Sequence, residues 1–360
     1  MKIGIHVGSA FSEKRTGVEE YVYQLIKNLA KLNESKVHEF ELYVNTKTNK
    51  IIPRLPKNFK AKILRAPFMW TNLRLPIQLF VSKPDILLMP ANFFLFFYPR
   101  VPVVSVIHGL EFEYFPEYYS KKMLYYLQKG TKKALKKSKR IITVSESTKS
   151  DLVDIYGANK NSIFVIHHGV DDFVINKDKK ANPKERYILY IGRIESKKNL
   201  EAMVNSFNLV KKKYKVPHKL FLVGGKGYGY EKIKELIGES EYKDDIVLTG
   251  YVSKEQKESL YKNATMFLFP SFYEGFGMPI LEAQLRSIPV ITSNNSSMVE
   301  IAGEGAVLID PFDNNEIAEA IYQIIQDENF KNKMVLEGIF NTKKYSWKKC
   351  AKETLNILIK

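Results

Sequence analysis

The chain of 360 residues has one cysteine, Cys350, and only two tryptophans. A lone cysteine excludes an internal disulfide and a cysteine-built zinc site, and it fits a reducing compartment. Acid is also scarce: 39 Asp and Glu face 56 Lys and Arg, leaving a formal charge of +17. Such an excess favours contact with anions, whether nucleic acid, an acidic membrane surface or a phosphorylated ligand. A lysine-rich composition with no particular partner explains the charge equally well. No uninterrupted apolar run reaches the ~18 residues of a membrane-spanning helix. The opening MKIGIHVGSA is too short and too interrupted for a signal peptide and reads as a buried strand. No Asp-x-Asp pair stands at a strand end, and the His and Asp residues lack ligand spacing, so no metal is expected.

Hydrophobic residues make up 45% of the chain, enough for two cores at this length. Short β-branched runs alternate with helical stretches. Strands are expected at 2–8, 41–45, 84–90, 101–109, 140–145 and 162–168, then at 186–194, 219–225, 245–251, 265–270, 288–293 and 305–310. Several are continuous apolar runs, as in sheets covered by helices on both faces. Helical periodicity appears at about 17–32, 120–137, 199–213, 230–239, 278–287 and 313–327. This alternation predicts parallel, doubly wound sheets. The polar, Lys/Asp/Asn-rich stretch near 169–186 divides them. The expectation is therefore an α/β chain of two Rossmann-like domains facing a central cleft: residues 1–170, a linker at 171–185, and residues 186–344. Residues 345–360 carry apolar side chains near helical spacing.

The segment PSFYEGFGMPILEA (270–283) poses a specific question: what holds Glu274 and Glu282 at this spacing? On one helix they would stand roughly 80° apart. Gly275 and Gly277 favour a loop instead, and Pro279 suits the first turn of a helix. Glu274 is thus expected on a loop and Glu282 on the following helix. Backbone N–H groups near Gly277 and Met278 would face the same ligand, at a helix start suited to phosphate. An isolated pair at this spacing is commonly just two surface glutamates.

The context is more specific. The stretch from FLFPSFYEGFGMPILEA to GAVLIDP resembles the nucleotide-sugar corner of the retaining GT-B glycosyltransferases of the family 4 type. YIGRIESKKNL (190–200) is similar to that family's phosphate-binding segment. IFVIHHGVD, VPVVSVIHGL and the glycine-containing loop GSAFSEKRTGVEEYVYQL resemble further family motifs, all in the family's order. The resemblance implies transfer of a hexose, of mannose or glucose type, from a GDP or UDP sugar to a saccharide or lipid-linked saccharide in cell-surface polysaccharide synthesis. It also implies that residues 345–360 return to pack on the first domain.

A departing diphosphate needs fixed cations and backbone amides where no metal serves. Arg193 and Lys198 stand where they would supply that charge, Arg as a planar fork and Lys as a point charge. By resemblance, Glu274 holds hydroxyls of the transferred sugar, Glu282 the ribose hydroxyls, and His108 faces the sugar. The donor-binding set implied is Gly8, Gly17, Gly192, Arg193, Lys198, Gly224, Tyr251, Glu274, Gly275, Phe276, Gly277, Met278 and Glu282. His108, Arg193, Lys198 and Glu274 form its catalytic part. Many family members carry Asp after the histidine; this chain has Gly109, which makes Glu111 the nearest acceptor-side candidate. No cofactor is implied beyond the donor.

LVGGKGYGYEKI (222–233) contains G-x-G-x-G after a strand, but lacks the later acid that a NAD site needs. The stretch 118–140 carries nine Lys and Arg and no acid. Aromatics crowd residues 67–80 and 92–99. A cytoplasmic protein is expected; a basic amphipathic surface with aromatics suits the inner face of an anionic membrane, and aromatics in the core beneath a solvated lysine-rich helix face explain the pattern equally well. Two alternatives stand beside this reading: a non-catalytic nucleotide-sugar binder, and a nucleic-acid-binding protein. The latter has charge in its favour but no recognition motif.

Overall fold

The computed structural model describes residues 1–12, 15–45, 53–66, 70–91, 100–170 and 186–360. The linker read at 171–185 and the aromatic run at 92–99 lie outside the described residues. Two compact units emerge: Met1–Gly169 together with Tyr345–Lys360, and Val170–Lys344.

The first unit holds seven strands: β1 (Lys2–Gly8), β2 (Glu39–Asn45), β3 (Phe59–Leu64), β4 (Ile86–Met89), β5 (Val103–Ile107), β6 (Arg140–Thr143) and β7 (Ile163–Val165). Their order is β3-β2-β1-β4-β5-β6-β7, with every pair parallel. The second unit holds β8 (Tyr187–Ile191), β9 (Lys219–Val223), β10 (Ile246–Gly250), β11 (Met266–Phe269), β12 (Val290–Ser293) and β13 (Ala306–Ile309). These run in the order β10-β9-β8-β11-β12-β13, again all parallel.

The sequence accounts for this arrangement. In β4, β5, β11 and β12 every residue is buried, because helices cover both faces and leave no polar side. Strand β3 was not foreseen: FKAKIL buries only its end residues, and as an edge strand it shows lysines to water. The two strands expected at 101–109 and 162–168 are shorter, Val103–Ile107 and Ile163–Val165. Beyond them the chain leaves the ladder and carries His108, His167 and His168.

In each sheet the chain reverses direction once, between β1 and β4 and between β8 and β11. Ligands of doubly wound sheets bind at that switch point, outside the carboxyl ends of the strands. Gly8 ends β1, and Pro90 and His108 follow β4 and β5. Gly192 and Pro270 follow β8 and β11.

The C-terminal helix Trp347–Ile359 starts at Ser346, whose hydroxyl accepts from the Lys349 N–H at 3.1 Å. It packs on the helix Gly17–Leu29 of the first unit. Arg140 donates to the Ile357 carbonyl at 2.9 Å. Gly169 marks the crossing: a Cβ there would lie 2.0 Å from the Trp347 nitrogen.

Candidate functional site

In the second unit the loop after β8 is laced to the loop after β9. Gly192 N–H donates to Val223, Ile194 to Gly225, Gly227 to Ile194 and Ser196 to Tyr228, all at 2.9–3.0 Å. This lacing demands small residues. A Cβ on Gly224 would stand 1.7 Å from the Gly192 carbonyl oxygen, and one on Gly227 2.8 Å from Cγ and Cδ of Arg193. The glycines of LVGGKGYGYEKI therefore support the Arg193 loop. The buried Tyr190 hydroxyl donates to the Arg193 carbonyl at 2.8 Å, and a Cβ on Gly192 would come within 2.5 Å of that hydroxyl. Burial pushes the Tyr190 phenol well up, helped by Glu274 and Glu195, so it remains a neutral donor. The Arg193 side chain is exposed, and among the described residues it makes no hydrogen bond or ion pair.

Lys198 closes the turn Ser196–Lys198, and Asn199 follows in the left-handed region at φ 58°. The Asn199 amide donates to the carbonyls of Pro270 at 3.0 Å and Pro311 at 2.6 Å. The Lys198 turn is thereby tied to the ends of β11 and β13. Lys198 Nζ reaches Glu274 Oε1 at 2.5 Å, with both side chains largely buried. Glu274 lies on the loop after β11. Its N–H donates to Ser296 Oγ at 3.1 Å. Ser297 Oγ lies 2.8 Å from the Glu274 carbonyl and 3.0 Å from that of Phe276. The Phe276 side chain is only 4% exposed; it packs, and leaves only its backbone for a ligand.

Gly277, at φ 94°, caps the helix Met278–Leu285, with Pro279 in its first turn. Glu282 sits on that helix. Lys257 contacts both its oxygens, at 2.9 and 2.7 Å. The Tyr261 hydroxyl donates to Oε2 at 2.9 Å. Burial alone would raise the Glu282 carboxyl, but Lys257, Arg286 and the Tyr261 hydroxyl together outweigh it and hold it below the usual range. Glu282 is thus an ionised acceptor with a fixed orientation. Arg286 is itself held by both oxygens of Glu258, at 2.8 and 2.6 Å. Tyr251, after Gly250 at φ 71°, is 68% exposed, whereas Val252 packs on the core.

In the first unit His108 Nε2 lies 2.7 Å from the Pro90 carbonyl oxygen. A carbonyl only accepts, so Nε2 carries the proton. Burial lowers the His108 pKa, against the Pro90 carbonyl and Glu111, which raise it. The neutral ring then offers Nδ1 as an acceptor. Glu111 opens the short helix Glu111–Tyr114 and accepts from the Tyr119 hydroxyl at 3.0 Å. Gly8 ends β1 at φ 58°. Gly17 starts a helix, and a Cβ there would meet nothing within 4 Å, so protein packing does not require glycine at that position. Among the described residues no group of three His, Cys, Asp or Glu is placed to hold a metal ion, and no helix is long and apolar enough to cross a membrane.

Two family models together match residues 15–339. "Glycosyltransferase Family 4" covers residues 15–172, and "Glycosyl transferases group 1" covers residues 171–339. The chain belongs to glycosyltransferase family 4. Among relatives, it is 27% identical to O-antigen chain mannosyltransferase B of Escherichia coli, over 95% of each chain. It is 28% identical to O-antigen chain mannosyltransferase RfbU of Salmonella typhimurium, over 61% of this chain and 60% of that one. Solved structures with the same fold include sucrose-phosphate synthase from Thermosynechococcus elongatus, with a TM-score of 0.79 at 18% identity, covering 99% of this chain and 98% of that one. Anabaena HepE in complex with UDP-glucose gives 0.75 at 15%, covering 99% and 100%. The fold is GT-B.

In this glycosyltransferase Gly192, Arg193 and Lys198 follow β8, Glu274 to Gly277 follow β11, Met278 and Glu282 lie on the next helix, Gly224 follows β9, and Tyr251 follows the edge strand β10. Sequence reasoning passed over Lys257, Tyr261, Ser296 and Ser297. Lys257 and Tyr261 lie on the helix Lys254–Asn263, whose polar sequence gives weak helical periodicity. Their spacing of four, lysine then tyrosine on one helix face, is the only local signal. Ser296 and Ser297 sit in NNSSMVE, which reads as an ordinary turn.

Proposed function

We propose that this glycosyltransferase is a retaining, metal-independent hexosyltransferase that moves mannose from GDP-mannose to a saccharide hydroxyl, free or lipid-linked, in cell-surface polysaccharide synthesis. The observation that carries the reading is the Lys198–Glu274 pair at 2.5 Å, on the loops that follow β8 and β11, with Arg193 exposed on the first of them. It sets a fixed cation and a fixed carboxylate against one small volume, as a diphosphate joined to a sugar requires. Arg193 and Lys198 take the charge of the leaving diphosphate, Glu274 the sugar hydroxyls and Glu282 the ribose. Neutral His108 accepts from a sugar hydroxyl through Nδ1. The mannosyl assignment draws on the two mannosyltransferase relatives; UDP-glucose is the competing donor.

The decisive test is a panel of GDP, UDP and ADP sugars with membrane lipid extract as acceptor, following release of the nucleoside diphosphate. GDP release from GDP-mannose, with an anomerically retained product, is the expected outcome. Turnover confined to a UDP sugar would overturn the donor assignment, and loss of turnover with EDTA the metal-free one.

A further inference from the structure

The first unit contains a stack of rings that the transfer reaction does not itself explain. Tyr21 and Trp347 meet with ring centroids 6.2 Å apart at 50°, and His168 completes a triangle with them. The His168 centroid is 4.7 Å from Tyr21 at 28° and 5.7 Å from Trp347 at 23°. His108 stands edge-on to this stack, 4.9 Å from Tyr21 at 77° and 5.4 Å from His168 at 55°. Tyr21, His168 and Trp347 are each at most 5% exposed. The rings come from three distant parts of the chain. Tyr21 belongs to the helix after β1, His168 follows β7, and Trp347 opens the returning C-terminal helix. Gly169 lets the Trp347 backbone approach so closely.

We infer that Trp347 and His168 are positioning residues for His108. Trp347 backs both His168 and Tyr21, and these two rings hold the His108 imidazole with Nε2–H on the Pro90 carbonyl and Nδ1 as its free acceptor. A single hydrogen bond to Pro90 leaves the ring free to tilt about that bond. Two ring contacts at different tilts, 77° to Tyr21 and 55° to His168, restrict that freedom. A misplaced reacting group is expensive in rate, on the order of 100-fold for about 1 Å. The C-terminal helix thus sets the geometry of a residue far from it in sequence. The groups facing His108 are His168, Glu111 and the Tyr21 phenol; behind them stand His167, coupled to His168, and Cys350, coupled to Tyr21.

The inference rests on the reading of His108 given above, so its test has two arms. The first needs no substrate: NMR of the histidine rings of the full chain, with His108→Gln to assign the signal. The parent should show a single Nε2–H tautomer for His108. Trp347→Leu should shift it to an averaged tautomer, and Trp347→Phe should restore the parent signal. The second arm is turnover of GDP-mannose, with calorimetry of GDP. Trp347→Leu should lower kcat by about 10- to 100-fold and leave KM for donor and GDP affinity within about twofold, since GDP is held by the other unit. Should Trp347→Leu not fold, His168→Leu carries the same comparison. A parental tautomer and kcat in a folded Trp347→Leu or His168→Leu would overturn the inference. Full activity in His108→Gln would instead overturn the role of His108, whatever the spectra show.

Discussion

Lys198 and Glu274 neutralise one another at 2.5 Å, and each variant therefore changes two things. Removing the carboxylate from Glu274 leaves Lys198 free for phosphate. Glu274→Gln should keep nucleoside-diphosphate affinity at or above the parent while depressing turnover, because sugar contacts matter as charge develops at the anomeric carbon. Glu282→Gln acts on the nucleotide half. It should weaken the free nucleoside diphosphate by about 10- to 100-fold, the loss of a charged hydrogen-bond pair worth roughly 1.5–3 kcal/mol. Calorimetry on both variants with GDP, followed by initial rates, separates the two; equal losses of affinity would end the division of labour. Arg193→Ala and Lys198→Ala should each lower turnover by about 10²–10³, as for removal of one transition-state stabiliser. Steady-state rates check this, and parental kcat in either variant would remove that residue from the mechanism.

At the scale of elements, the loop lacing between β8 and β9 is the device that aims Arg193. Gly224→Ala places a methyl group 1.7 Å from a backbone oxygen, which no rotamer relieves. The expected cost is about 1–3 kcal/mol from overpacking, with a drop in melting temperature and loss of GDP affinity together. Gly17→Ala, with open space around it, should leave melting unchanged, and thermal scans of the pair make the contrast. The same contrast shows what the sequence discloses. Buried strands such as ILLM and MFLF are legible because both faces are apolar, and the loop-then-helix form of 270–283 is legible from Gly275, Gly277 and Pro279. Strand β3 is not, since FKAKIL alternates lysine with apolar residues at an exposed edge. The helix Lys254–Asn263 is not either, having one buried side chain, Tyr261. Its Lys257 partner to Glu282 belongs to tertiary structure. The C-terminal spacing reads as a helix, but nothing in it states which unit receives it.

For the whole molecule, buried histidines govern the response to acid. Burial lowers His6 and His218 to about 4, and lowers His108 and His168 as well. In the folded chain these rings stay neutral, whereas the unfolded chain takes up their protons below about pH 6.5. Their contribution is therefore fully present above pH 6.5 and is lost as pH falls towards 4. Each ring adds a slope of up to about 1.4 kcal/mol per pH unit. Melting temperatures should be flat from pH 7 to 8 and fall steeply between 6 and 4; a flat profile there would contradict the burial. Charge acts on the outside too. The helix Lys121–Lys137 has no acid and exposes Met123 and Tyr125, and the helix Leu75–Ser82 exposes Ile77, Phe80 and Val81. Sedimentation with anionic vesicles but not zwitterionic ones is the expected result. Lys132→Glu with Lys133→Glu should abolish it, and equal pelleting with both lipids would refute an electrostatic contact.

The first unit is closed by Trp347, and this has a consequence for how the protein is made. The whole of the second unit, Val170–Lys344, is translated between His168 and Trp347. At about 5–20 residues per second, that interval is on the order of 10–35 s. Through it the nascent β1–β7 sheet waits with Tyr21 and His168 uncovered, while the contiguous second unit has all it needs to fold. A chain released from the ribosome just after Lys344 carries a complete second unit and an unclosed first one. If the second unit holds the donor as proposed above, such a chain binds donor without transferring sugar, and translation to Trp347 is the step that couples the two.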